Sequence, residues 1–162
     1  KLAGRPVDPL RYTWNQVLVF NLGFDGKGAR DVHWVYFPDR TLPFYRIGYY
    51  DNIFDHPRMS LYVELGYPKD AAVDVAAARA QVLDGLRRAG VITTQKLVSE
   101  HSVLMNPAYV RDSNAEVARM KAELAAHDVH SIGRYGSWTY CSIEDNVTES
   151  KRLVDGLDRQ SR

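Results

Sequence analysis

Cysteine is almost missing from this chain. A single thiol, Cys141, among 162 residues excludes an internal disulfide and a cysteine-rich zinc site, and it fits a reducing cytoplasm. Charge of one sign is missing too. Lys and Arg number 21 against 20 Asp and Glu, a formal net charge of +1, so no global basic field draws in nucleic acid or a membrane surface and any anion site must be local. No apolar run approaches the ~18 residues of a membrane span, and Lys1 to Pro9 lacks a signal-peptide core. The histidines, His33, His56, His101, His127 and His130, show no HExxH or other ligand spacing, so no metal is expected. Neither a GxGxxG fingerprint nor the Gly-Lys-Ser/Thr ending of a Walker loop occurs. The chain does not open on Met, as an excised fragment would not.

What is present is a globular composition, 45% hydrophobic and 25% charged, which disfavours disorder, collagen and coiled coil and suits one domain. The first half reads as strands. Asn15 to Phe24, Asp31 to Phe37, Phe44 to Tyr50 and Met59 to Gly66 are short runs rich in Val, Leu, Ile and aromatics, separated by Gly, Pro and Asp punctuation, and they predict a four-stranded antiparallel meander. In the second of them Val32, Trp34 and Tyr36 share one face, while His33, Val35 and Phe37 share the other.

The second half alternates. Val75 to Ala89 carries Val75, Ala78, Val82 and Leu86 at helical steps and stops at Gly90. Lys96 to Met105 reads as a strand. Ser113-Asn114-Ala115-Glu116 has a capping-box pattern that predicts a helix to about His127, with Val117, Met120 and Leu124 inward. Val129 to Ile132 is short and β-like. Ser142-Ile143-Glu144-Asp145 resembles a second cap, opening a helix with Ile143, Val147, Val154 and Leu157 inward. The expectation is an α+β fold, mainly an antiparallel sheet with helices packed on it, in a single unit spanning 1–162.

Two stretches could carry chemistry. Gly133-Arg134-Tyr135-Gly136-Ser137-Trp138-Thr139-Tyr140 lies between a short strand and a capped helix start, where glycines admit a ligand close to the backbone and helix amides attract an anion. The alternative is a loop kept for its geometry. In the other stretch, Trp34-Val35-Tyr36-Phe37-Pro38-Asp39 through Phe44-Tyr45-Arg46, a strand-borne guanidinium flanked by aromatics offers a planar, permanently charged fork for phosphate or carboxylate. Its alternative is an Arg in a surface ion pair or over an aromatic face. Ser137 has no GxSxG context and Cys141 no evident base, which leaves nucleophilic hydrolysis unsupported. Asn146-Val147-Thr148 has the form of a glycosylation sequon, but inside a helix of a cytoplasmic-looking chain it reads as coincidence.

Taken together and in this order, the two stretches resemble the C-terminal part of UDP-galactopyranose mutases of the eukaryotic type, within the FAD-dependent amine-oxidase and protoporphyrinogen-oxidase-like superfamily. The resemblance covers roughly residues 14 to 157. It implies a flavoprotein isomerase of cell-surface polysaccharide biosynthesis acting on a nucleotide sugar such as UDP-galactose. In such enzymes the reduced flavin attacks the anomeric carbon, UDP leaves, the ring opens and recloses, and UDP returns. Residue by residue, the resemblance places the diphosphate on Arg46 and Arg134, with Tyr36, Tyr140 and Tyr109 as hydroxyl donors and Trp34 beside them. It sets Gly133, Gly136, Glu144 and Asp145 near the FAD, in a contacting segment of about 133–158. The family's Asn-Gln pair is replaced here by Ile143-Glu144-Asp145. The N-terminal Rossmann FAD domain, with its GxGxxG, is absent from this sequence, so the chain alone is expected to be inactive and to need that domain as partner. An amine-oxidase-like oxidoreductase fragment is the alternative enzyme reading, and a non-catalytic module binding a nucleotide sugar or a protein is the alternative from another class.

Overall fold

The computed structural model describes residues 8–111 and 115–160. It divides into two compact units, one formed by Asn15–Ala108 and one by the segments Lys1–Trp14 and Tyr109–Arg162. The fold is α+β. No described helix is long and apolar enough to cross a membrane.

The first unit is built on a sheet of β1 (Thr13–Phe24), β2 (Trp34–Tyr36), β3 (Arg46–Tyr49), β4 (Ser60–Pro68) and β5 (Leu97–Met105), in the order β2-β3-β4-β1-β5. Every pairing along it is antiparallel. The expected meander holds for β2, β3 and β4 only, because β1 is inserted between β4 and β5. The reason lies in β1 itself. It is the longest strand, and its Leu18, Phe20, Leu22 and Phe24 are buried, which suits a central place with neighbours on both edges. The core face continues through Ile47, Leu61, Val63 and Leu65, and α2 (Val75–Arg88) covers it with Ala78, Val82 and Leu86. Asp74 caps α2 by accepting the Ala77 amide at 3.0 Å, and Gly90 closes it with φ of +69°. Val75, expected inward, is exposed. Val73, just before the cap, packs on the core instead.

β2 is shorter than the run Asp31 to Phe37 suggested. Asp31 takes a left-handed conformation, φ +60°, and the Asn52 amide binds the carbonyls of Ala29 and Val32 at 2.9 and 2.7 Å, so those groups are spent on a side chain rather than on a ladder. The run Phe44 to Tyr50 is trimmed at its end in the same way: Tyr50 opens a helical turn, α1 (Tyr50–Ile53). Asp51 of that turn is buried, held by Lys27 Nζ at 2.5 Å and by the Ser60 amide at 3.2 Å.

In the second unit, β6 (Val110–Arg111) pairs with Thr13 and Trp14. Helices α3 (Ala115–Ala125), α4 (Gly133–Gly136) and α5 (Ile143–Gln160) follow. The expected cap at Ser113-Asn114 lies outside the described residues. Val129 to Ile132, expected as a strand, is not one. The Val129 amide donates to the Leu124 carbonyl at 3.0 Å and Asp128 has φ +59°, so this backbone closes the end of α3. Gly133 to Gly136, expected as a loop, is a helical turn. The Ser142 cap of α5 forms as expected: Asp145 Oδ2 accepts the Ser142 amide at 2.7 Å, and Ser142 Oγ accepts the Asp145 amide at 3.1 Å. The stripe expected inward on α5 faces outward instead, with Ile143 85%, Val147 64%, Val154 54% and Leu157 38% exposed.

Candidate functional site

Strand register determines what shares the open face of the sheet, because side chains alternate and opposed residues point the same way. Arg46 stands opposite Tyr36 on β2 and Glu64 on β4, and Glu64 stands opposite Val19. The next row runs Trp34, Gly48, Tyr62, Asn21, His101. Phe20, Ile47, Val63 and their neighbours point to the other face, under α2, which leaves this one open.

Arg46 is the centre of the arrangement. Its Nη2 donates to both oxygens of Glu64, at 2.6 and 2.7 Å, and Nη1 donates to the Tyr36 hydroxyl at 3.2 Å. The guanidinium carbon lies 5.7 Å from the ring centres of both Trp34 and Tyr36, within cation–π range. Tyr45 donates to the same Glu64 carboxylate. Trp34 and Tyr36 are each 57% exposed, so the aromatic walls stand in solvent while the ion pair beneath them is largely covered. Beside them, desolvation raises the Tyr62 hydroxyl above its ordinary pKa, against the opposing influence of Arg46. The Tyr62 ring passes directly over Gly48, where a Cβ would meet it at 2.0 Å. Glycine there is what lets the phenol lie flat on the sheet.

The second unit holds Arg134. On α4, it projects between Tyr109 and Tyr140, 5.1 and 5.2 Å from their ring centres, and Nη2 donates to the Cys141 carbonyl at 2.6 Å. Glu149 on α5 ties down the same turn: it accepts the Gly133 amide at 2.8 Å and the Ser137 hydroxyl at 3.2 Å, with Lys121 Nζ 3.5 Å away. The Gly133 amide, chiefly, holds the Glu149 carboxyl below its ordinary pKa, with burial acting the other way. Trp138 anchors the following residues by donating to the Thr13 carbonyl at 3.1 Å.

The structure therefore gathers Trp34, Tyr36 and Arg46 in one unit, and Tyr109, Arg134 and Tyr140 in the other. Of the residues expected near a cofactor, Asp145 is engaged in the α5 cap, whose Ser142 amide lowers its pKa, and Glu144 lies exposed in the first turn of α5. A Cβ at Gly133 would meet Asn146 Oδ1 at 2.9 Å, and one at Gly136 would meet Ser131 Oγ at 2.8 Å. Both glycines thus serve close packing by the chain's own side chains. Among the described residues no cluster of His, Cys, Asp or Glu could hold a metal ion. Sequence reasoning missed Glu64 and Glu149. For Glu64 a signal existed: in Ser60, Tyr62 and Glu64 every second residue is polar, and a strand-borne Arg needs a counter-ion. Glu149 gave none, since an acid in mid-helix looks like any solvated position.

No protein-family model and no curated protein matches the chain in sequence. Solved structures match it in fold, as part of larger proteins. A crystal structure of reduced UDP-galactopyranose mutase aligns with a TM-score of 0.69 and 22% identity, over 80% of this chain and 30% of that one. A protoporphyrinogen-oxidase-like protein from Exiguobacterium sp. 255-15 aligns with a TM-score of 0.63 and 14% identity, over 93% of this chain and 36% of that one. The likeness expected from the motifs is thus present in the fold, and the chain spans about a third of the length of the structures it matches.

Proposed function

We propose that this chain is the substrate-binding portion of a FAD-dependent enzyme like UDP-galactopyranose mutase, and that Arg46 and Arg134, each within its own unit, are candidate guanidiniums for the diphosphate of a nucleotide sugar. The observation that carries this reading is the repeated design of the two clusters. Each unit presents one guanidinium framed by aromatic rings and oriented by its own chain, Arg46 among Trp34, Tyr36 and Tyr45 and Arg134 between Tyr109 and Tyr140, on the two motifs that the resemblance singles out. A guanidinium among aromatic rings suits the negative charge of a phosphate, although Glu64 already takes up the positive charge of Arg46, and Tyr36, Tyr109 and Tyr140 add hydroxyl donors without adding charge. When the bond from diphosphate to sugar breaks, charge builds on the departing phosphate, and preoriented guanidiniums are placed to oppose it.

In this reading the main grip on FAD lies outside these residues. The sequence has no dinucleotide fingerprint, and the spaces at Gly133 and Gly136 are filled from within. In this reading the cofactor is bound by a Rossmann-type portion outside residues 1–162, and 133–158 approaches it from one side. The uncovered stripe of α5 supports a covering partner there, since an apolar row of this length is seldom left in water. An amine-oxidase-like oxidoreductase on the same scaffold is the competing reading, supported by the second structural match.

The test is UDP titration by calorimetry into the chain and into Arg46→Ala and Arg134→Ala. Each substitution should cost about 1.5–3 kcal/mol of binding, the range for a hydrogen bond to a charged group. Unchanged affinity in both variants would remove the diphosphate reading.

A further inference from the structure

Val117, Met120 and Leu124 recur on α3 at helical spacing, the stripe that the sequence predicts as inward. In the second unit that stripe borders a hollow of about 240 Å3. Tyr12 and Trp138 line it too, edge to face with ring centres 5.1 Å apart, and Ser131, Tyr135 and Gly136 are also part of the lining. The volume lies between the roughly 150 Å3 of an apolar cavity that takes up benzene and the roughly 300 Å3 at which drug-sized pockets begin. One ring, or a fused pair, suits it.

The polar side chains around the hollow have partners within the chain. The Tyr12 hydroxyl donates to the Met120 sulfur at 3.4 Å, Trp138 Nε1 to the Thr13 carbonyl at 3.1 Å, and Ser131 Oγ to the Gly136 carbonyl at 3.3 Å. Lys121 Nζ donates to Ser137 Oγ at 2.6 Å and lies 3.5 Å from Glu149 Oε1, so its charge is already met. What is left to a ligand is aliphatic carbon, a thioether and aromatic rings, the surroundings that suit another aromatic ring. The backbone is bent to build this lining. Trp138 has φ +46°, a left-handed conformation that a bulky residue rarely takes, and strain of this kind concentrates at ligand clamps and other functional sites.

We propose that this hollow binds a small, neutral aromatic molecule of one ring or two fused rings. Its lining includes neither Arg46 nor Arg134, and the proposal does not draw on the nucleotide-sugar reading. A bound ring adds edge-to-face contacts to the Tyr12 and Trp138 pair and lies against the Met120 sulfur. A carboxylate or an ammonium on that ring meets the Lys121 and Glu149 pair, where one member repels it and the other is already matched. Neutrality is therefore what selects the ligand. Because Gly136 and Trp138 belong to the α4 turn and its exit, occupancy is read directly in their signals.

The experiment is NMR titration of the isotopically labelled 162-residue chain, separately with indole, benzoate and benzylammonium. Indole should shift the Gly136 amide and the Trp138 indole N–H, and the two charged rings should bind at least about tenfold more weakly, since neither charge finds a free partner. Leu124→Trp, which fills the hollow from within, should abolish the indole response in a chain whose circular dichroism is unchanged. Filling a hollow also perturbs packing, so a second measurement uses the unaltered chain: xenon pressed into its crystals should settle between α3 and Trp138. Indole leaving both signals unmoved, charged rings moving them as strongly as indole, a response that survives Leu124→Trp in the folded chain, or a hollow that stays empty under xenon each overturns the proposal.

Discussion

Arg46 and Glu64 face one another across the β3–β4 ladder, with one guanidinium nitrogen donating to both carboxylate oxygens at 2.6 and 2.7 Å. With side chains 17% and 9% exposed, the pair sits largely out of water, and removing one member strands the other's charge. Glu64→Leu should therefore cost about 3 kcal/mol of unfolding free energy in urea denaturation, whereas the double change Arg46→Met, Glu64→Leu should recover most of it, as an apolar pair often replaces a buried ionic one. Two single losses that simply add would show that the pair is solvated and uncoupled.

The stacking of Tyr62 over Gly48 gives a second prediction. With 2.0 Å between a would-be Cβ and the ring, Gly48→Ala must push Tyr62 off the sheet, at about 1–3 kcal/mol, the usual cost of overpacking. In the background of Tyr62→Ala the same change should be nearly free. Thermal unfolding of the four proteins reads the coupling, and an equal cost in both backgrounds would mean that the ring does not fill this place.

These contacts show what the sequence could and could not reveal. Strand positions, α2 and the Ser142 cap were legible because each depends on local rules, apolar alternation, helical spacing and reciprocal capping, that neighbouring residues satisfy among themselves. The insertion of β1 between β4 and β5 was not, since strand order depends on which strand buries most, a comparison across the whole unit. Trp34, Tyr36 and Arg46 were legible as a cluster from their spacing. Glu64 as the partner of Arg46 was not, because 18 residues separate them and only the register brings them opposite. The α5 stripe was legible as amphipathic, yet periodicity tells that a face is apolar without telling whether this chain covers it.

That exposed stripe is testable in the chain alone. Ile143 and Val154 are 85% and 54% exposed, so Ile143→Glu and Val154→Glu remove little packing and should change stability by no more than about 0.5 kcal/mol, as at other surface positions. Helix content and melting temperature by circular dichroism check this. A loss of several degrees in either variant would mean that the stripe is packed after all.

Glu149 links stability of the second unit to pH. Its carboxylate accepts the Gly133 amide and the Ser137 hydroxyl with Lys121 nearby, and its folded pKa is lowered as a result. A depressed carboxyl pKa means that the folded chain binds its proton less readily than the unfolded one. The stabilisation is therefore complete above the ordinary carboxylate range and fades as pH falls through the lower folded value. Glu149→Gln keeps the shape and removes the charge. At neutral pH it should cost about 1 kcal/mol, a charge-assisted hydrogen bond discounted because the side chain is 36% exposed. Below the folded pKa, wild type and variant should converge, since both then present an uncharged group to the Gly133 amide. Urea denaturation over a pH series running down from 7 measures the gap, and a gap that stays the same size at every pH down to acid unfolding would mean that the charge of Glu149 does not hold the Gly133 turn.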